Sequence, residues 1–469
     1  MLRVGIEDLV LQILILDLGD PTTFLSKALN PPSELAMSNS LKLLETLGAV
    51  ECDWREKQRF ASTQDTESQE EGTKTTCGDL KVSSELTALG FHLATLPVDP
   101  RVGKMMIYGS LFGCVDPALT VAASMSARSP FVSPFDQREA ADEARKKFAV
   151  EGSDHLTILN AFTKWKEMRQ TKGNRAVQNF LKDHFLGRLT LFQMEDLRKQ
   201  FAGLLTDIGF LPKGFKLKEL YTTENANSKN VGLVRAVLCA GLYPNIIVAP
   251  RTLVGSSKKS DKKVGECAFQ SHRKGEVYLH PSTIAFEESK LDSRYCCYHE
   301  MVKTSKTYVR DCTTVSPFAL LLFGGTLKVY QTHGICSIDG WLKFRIDAKK
   351  GTLVKYLRGQ MERILLKKIV SPEEDVAGSE EGKALIQSIS ILFQRESEIN
   401  ANRPDRSGGE IVRPWTGSDE ANNRNNYRAS NNARRSGGRG RGGGRGGRGS
   451  GRGGRGLDRS GRGGGRRPP

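Results

Sequence analysis

At Asn245 the hydrophobic period of this chain changes, and that change limits what it can fold into. Upstream, apolar residues recur every three or four positions. "SDHLTILNAFTKWKEM" (153–168) places Leu156, Leu159, Phe162, Trp165 and Met168 at helical spacing, with Ser153 and Asp154 before them as capping residues. "LTLFQMEDLRKQFAGLLTDIGF" (189–210) repeats the pattern and stops at Gly209. Downstream, "NIIVAPR", "GEVYLH", "RYCCYHEMVKT" and "TYVRDCTTVSP" are β-branched, aromatic and partly alternating, with turn residues between them. The reading is multidomain α+β: an all-α helical bundle followed by a small β-barrel of oligonucleotide-binding type.

The remaining segments extend this order. Residues 1–90 read as three helices and a two-stranded hairpin, a winged helix. "DLVLQILILDL" forms the first helix, and "AVECDW" and "DLKVS" form the strands around a long polar loop. Residues 84–210 are expected to be helical throughout. In the small-residue stretch 88–127, Gly103, Gly109 and Gly113 are expected to let helices approach closely. "LVKYLRGQMERILLKKI" is an amphipathic helix beyond the barrel. The resulting division is 1–90, winged helix; 91–210, helical bundle; 211–325, barrel with its lead-in helix; 326–400, C-terminal extension; 401–469, Arg/Gly-rich tail.

That tail decides the charge. Twelve arginines and one aspartate between 433 and 469 supply +11 of the formal +17, so the body is only mildly basic. RGG triplets begin at Arg441, Arg445, Arg452 and Arg462. Such a segment has too little apolar area to offset chain entropy and is expected to be disordered. A basic balance of this kind points to a polyanion, most simply nucleic acid. Nine cysteines show no zinc-ligand spacing, and a disulfide framework is not expected in a chain this long. Reduced thiols in the cytoplasm or nucleus are. The run 8–18 is too short for a bilayer and is broken by Asp8 and Asp17, so no membrane partner is expected.

Several long motifs carry a resemblance. "FLSKALNPP" (24–32), "LGFHLATLPVDPRVGK" (89–104), "GCVDPALTVAASMSARSPF" (113–131) and "SDHLTILNAFTKW" (153–165) resemble the region that follows the motor in DEAH/RHA-type ATP-dependent RNA helicases. "YLHPSTIAF" (278–286) resembles the His-Pro-Ser segment of that family's barrel. "YHEMVKTSKTYVRDCTTVSPFALLLFGG" (298–325) is similar to its closing strands. The likeness covers roughly residues 2–395. It implies RecA-like motor domains as partners, with ATP and Mg2+ as the motor's cofactors. The sequence itself holds no GxxxxGK[ST] phosphate loop and no DEAH tetrapeptide, and "DEAR" (142–145) is read as part of a helix. The expectation is a C-terminal RNA-gripping region with no cofactor and no catalytic residue of its own. The alternative is a stand-alone RNA-binding protein.

The resemblance also sets the candidate contacts. His280 and Ser282 fall in the segment matching the family's nucleic-acid-facing loop. Lys303, Thr304, Ser305, Lys306 and Arg310 cluster on or between two strands, and Arg128 follows a bundle helix. Single-stranded or structured RNA is the expected ligand, since positive groups track phosphates and planar groups stack on bases. The tail arginines offer planar forks on a free backbone, suited to RNA with little sequence preference and also to protein partners.

Overall fold

The computed structural model describes residues 6–52, 84–150, 152–217, 222–254, 263–272, 274–371, 374–375, 378–401 and 413–414. The long polar loop, most of the lysine-rich loop 256–263 and the arginine triplets at Arg441, Arg445, Arg452 and Arg462 lie outside them.

Three helices open the chain: α1 (Glu7–Ile15), α2 (Pro21–Leu25) and α3 (Glu34–Leu47). Asp20 and Ser33 cap α2 and α3 by accepting from Thr23 N and Ala36 N, and Gly48 ends α3 at φ 75°. Strands β1 (Val50–Cys52) and β2 (Ser84–Leu86) pair antiparallel. Helicity therefore does not begin at residue 84: the start of that segment is the second strand of the pair, lying just beyond the place expected for "DLKVS".

The bundle comprises α4 (Ala88–Ala94), α5 (Pro100–Leu111), α6 (Val115–Ser126), α7 (Arg138–Lys146), α8 (Asp154–Thr171), α9 (Asn174–Asp183) and α10 (Arg188–Asp207). Pro100 occupies the first turn of α5, where its missing N–H costs nothing, and Asp99 accepts from Arg101 N. Helices α5 and α6 cross at Gly109. A Cβ there would lie 2.3 Å from that of Ala118, so only glycine permits this separation. Gly113 plays a different part, turning the chain at φ 67° between the two helices. Both helices are buried along almost their whole length, so the stretch 88–127 is packing material.

Helix α11 (Val231–Leu242) leads into a closed barrel of β3 (Ile246–Val248), β4 (Phe269–Ser271), β5 (Gly275–Leu279), β6 (Tyr295–Lys303) and β7 (Thr307–Val315). The strand order is β3-β4-β5-β7-β6, and only the β5–β7 pair is parallel. Alternation sorts the side chains. Val277, Leu279 and Val309 fill the barrel with Phe269 and Ile247, while the residues between them face outward. The segment "SPFALLLF", expected among the closing strands, is helix α12 (Pro317–Phe323). Ser316 caps it, Pro317 starts it, and its apolar residues are buried on all sides. A four-stranded sheet follows, formed by β8 (Leu327–Tyr330), β9 (Ile335–Ile338), β10 (Leu342–Arg345) and β11 (Arg413–Pro414). Helices α13 (Ala348–Val370) and α14 (Glu380–Ala401) complete the fold.

One hydrophobic core runs from Val10 on α1 through Met105, Leu119 and Trp165 to Leu320, Phe344, Ile364 and Phe393. Cationic side chains reach into it, Lys104 buried and Arg358 half-buried. Lys104 Nζ donates to Leu47 O at 2.7 Å, and burial lowers its ammonium to about 7. Arg358 donates to Gly324 O and Gly325 O, at 2.5 and 2.6 Å. The described cysteines carry free thiols, and burial pushes those of Cys114 and Cys239 up to about 12. Among the described residues no helix is long and apolar enough to cross a membrane, and no group of three metal-ligating side chains gathers.

Candidate nucleic-acid interface

A cleft of about 670 Å³ lies where the bundle meets the barrel. From the bundle, the loop after α6 brings Arg128, Ser129 and Phe131, α7 brings Arg138 and Arg145, and α8 brings His155. From the barrel come His280 and Ser282 after β5, His299 on β6, and Arg310 and Asp311 on β7. Four arginines therefore line one cleft, beside the acidic residues Asp142, Glu300 and Asp311.

The cleft is fixed by Asp154. Ser153 is the true cap of α8, accepting from Leu156 N at 3.1 Å. Asp154, expected as a second cap, instead turns toward the barrel. Its carboxylate accepts from Ile284 N at 2.8 Å, from Cys312 N at 2.9 Å and from Arg145 Nη2 at 2.9 Å. Burial raises its carboxyl to about 6 despite these partners. Arg145 also donates to Ser282 O, so one guanidinium ties the His-Pro-Ser loop to the helix.

The state of His280 follows from its neighbours. Arg310 Nη2 lies 2.9 Å from His280 Nε2, and a guanidinium can only donate. The Ser282 N–H offers a proton to Nδ1 at 3.1 Å, with Ser282 Oγ 2.7 Å from the same nitrogen, so strand and loop compete for the one nitrogen of the neutral ring that can accept. Burial and then the Arg310 charge lower His280, so it stays neutral.

Deeper in, His155 Nδ1 meets Thr313 Oγ1 at 2.8 Å, and burial drives this imidazole down to about 3. Arg145 Nε, His155 Nε2, His299 Nδ1 and Arg310 Nε are buried, belong to cleft-lining residues, and have no hydrogen-bond partner among the described residues.

Of the expected contacts, Arg128, His280, Ser282 and Arg310 meet in this cleft. Lys303, Thr304, Ser305 and Lys306 do not line it. They form the exposed turn joining β6 to β7, where Thr304 N donates to Lys306 O at 2.9 Å. Arg138, Arg145, His155 and His299 went unread. Arg145 stands in "DEAR", read as part of a helix, and His155 in "SDHLTILNAFTKW", read for its helical spacing and its family likeness.

Known proteins share this order of parts. Residues 99–158 match the helicase associated domain (HA2), ratchet-like. Residues 234–327 match the oligonucleotide/oligosaccharide-binding (OB)-fold, and 334–395 match the C-terminal domain in RNA helicases. The DExH-box ATP-dependent RNA helicase DExH1 of Arabidopsis thaliana is 36% identical over 398 residues, covering 84% of this chain and 35% of that protein. The ATP-dependent DNA/RNA helicase DHX36 of Mus musculus is 35% identical over 417 residues, 87% of this chain and 37% of its own length. The ATP-dependent RNA helicase DHX29 of Homo sapiens is 32% identical over 399 residues, 85% and 26% respectively. The chain thus spans about a third of the length of the curated relatives it matches.

Proposed function

The chain is homologous to the C-terminal region of DExH-box RNA helicases, and from that premise we propose that it grips single-stranded RNA in the cleft between bundle and barrel. The observation that carries this reading is the convergence of Arg128, Arg138, Arg145 and Arg310 on one cleft, two structural layers contributing to it. Guanidinium forks match phosphate oxygens, and a planar guanidinium can also stack on a base. The winged-helix character of residues 1–90 and the RNA affinity of the arginine tail belong to the same proposal. The tail supplies salt-sensitive attraction with little sequence preference.

ATP turnover is assigned to RecA-like motor domains acting as partners. A phosphate loop with its lysine and a DEAH carboxylate pair, the groups that would hold ATP and Mg2+, are not in this sequence. The test is RNA-stimulated ATP hydrolysis by the purified 469-residue chain, run beside RNA binding in a salt series. Salt-dependent binding without hydrolysis is expected. Hydrolysis that tracks the intact chain would overturn the assignment, and salt-independent or absent RNA binding would overturn the grip.

A further inference from the structure

A second cavity, of about 240 Å³, shares no lining residue with the cleft. It lies between the end of α3, helix α5, the end of α12 and helix α13. Phe323, Met361 and Leu365 give it apolar walls, and the exposed residues Glu45 and Glu362 also line it. Lys104 reaches it from α5 with only 5% of its surface exposed. A buried ammonium is costly unless a carboxylate stands beside it. Among the described residues Lys104 forms no ion pair, and its one hydrogen bond is the donation to Leu47 O. The charged and titratable groups that act on it are Arg358 from α13, Cys239 from α11 and Asp339 from the β9–β10 turn. Burial is the largest influence and Arg358 the next, and both disfavour the ammonium. A lysine dried by its surroundings and faced by a second cation is an activated nucleophile. One turn along α5, Tyr108 lines the same cavity, and its hydroxyl makes no hydrogen bond among the described residues.

We infer that Lys104 is a modification site, a nucleophilic amine in the wall of this cavity that takes a small acyl group from an acyl thioester or an acyl phosphate. The inference goes beyond the RNA grip and does not depend on it. The neutral amine has two N–H groups and a lone pair. One N–H donates to Leu47 O, and the lone pair is left for the cavity. In the step itself, the Nζ lone pair attacks the carbonyl carbon and an N–C bond forms. The C–S or C–O bond to the donor breaks, and the thiolate or phosphate leaves with the electron pair. The proton that the nitrogen sheds goes to that leaving group or to water. Negative charge that develops on the carbonyl oxygen can be met by the Tyr108 hydroxyl, with the Arg358 charge nearby. The size of the cavity suits an acetyl group, with the rest of the donor left outside. The product amide keeps one N–H, so the tie from the bundle to the end of α3 survives while the cation is removed at every pH.

The test uses the full wild-type chain, incubated with acetyl-CoA in one arm and acetyl phosphate in the other. Peptide mass spectrometry then follows acetylation of each lysine from about pH 6 to about pH 9. Near neutral pH an ordinary lysine is free amine to roughly one part in a thousand, whereas one that titrates at about 7 is about half free amine or more. A weaker base attacks more slowly, which returns part of that gain. Lys104 is therefore expected to react about tenfold faster than the exposed Lys172 and Lys303 at neutral pH. Its rate is expected to level off above about pH 8 while theirs keep rising. That profile in either arm supports the site, and the arm that reacts identifies the donor. A Lys104 rate within about twofold of the two exposed lysines in both arms overturns the inference, and so does a rate that rises across the whole range without levelling. Guanidinium chloride, by unfolding the chain, is expected to erase the preference. A preference that survives unfolding would belong to the local sequence and would overturn the part given to the cavity.

Discussion

Asp154 and Arg145 are joined across 2.9 Å at the seam of two domains, with the carboxylate 2% exposed. The pair couples the N-terminus of α8 to the barrel, because each member also bonds to barrel backbone: Asp154 to Ile284 and Cys312, Arg145 to Ser282. A buried pair is costly to break from one side, since the partner is left charged and dry.

Asp154→Ala should therefore lower stability by about 3–5 kcal/mol, read as a fall in the urea midpoint with an unchanged slope. Arg145→Met, which removes the cation but keeps much of the stem, should cost less in stability than Asp154→Ala while weakening RNA binding. A melting temperature unmoved by Asp154→Ala would mean that the seam is held elsewhere.

The two neighbours Asp154 and His155 respond to pH in opposite directions. His155 in the folded chain sits near 3, below its ordinary 6.5, so folding favours the neutral ring. Its contribution is complete above about 6.5 and is lost as pH falls toward 3. Asp154 sits near 6, above its ordinary 3.8, so folding favours the protonated acid and stability falls as pH rises from about 4 to 6. Between 4 and 6 the two oppose one another. His155→Gln, which can still bond Thr313 and does not titrate, should flatten the rise in stability across this window or turn it into a fall. Chemical denaturation at three pH values measures it, and an unchanged pH dependence would place the titrating group elsewhere.

Arg310→Ala should weaken single-stranded RNA by about tenfold, the worth of one charge-assisted hydrogen bond of about 1.5 kcal/mol. It should also lower the slope of log affinity against log salt by about one. Arg128→Ala, with no hydrogen-bonding side-chain partner to lose among the described residues, should reduce the slope equally at no cost in stability. Fluorescence anisotropy across a salt series reads both.

Two glycines should respond to alanine with opposite signs. At Gly90, on α4, a Cβ would lie 1.8 Å from the Ala49 carbonyl oxygen and 2.8 Å from its carbon, and backbone cannot step aside. Gly90→Ala should cost about 3 kcal/mol. At Gly203, inside α10, nothing lies within 4 Å of the added carbon, so Gly203→Ala should stabilise by about 0.5–1 kcal/mol through helix propensity. Thermal unfolding distinguishes them.

The apolar spacing that marked 153–168 and 189–210 as helices holds because those stripes face one core, and a stripe of that kind is written directly in sequence. The barrel strands were legible for the same reason, with period 2 replacing 3.6. Helix α12 was not, because a segment buried on every side has no polar face, and "FALLLF" satisfies a strand template as well as a helical one. Helix α14 went unread inside a region assigned to the extension as a whole. The cleft was half legible. His280, Ser282, Arg310 and Arg128 carry polar groups in segments with a family likeness, whereas the roles of Asp154, Arg145 and His155 come from partners more than a hundred residues away, at Ser282, Ile284, Cys312 and Thr313. No local pattern reports a partner that distant. The turn lysines 303 and 306 were expected beside Arg310 because they are near it in sequence, yet two nine-residue strands carry the turn away from the cleft.

The core that runs unbroken from α1 to α14 has a mechanical meaning. The barrel keeps a second interior of its own around Phe269, Val277 and Val309, and the Asp154 clasp ties that body to the bundle. The clasp bridges the two walls of the cleft, so on the proposed reading they act together, as one anvil against which a strand is held.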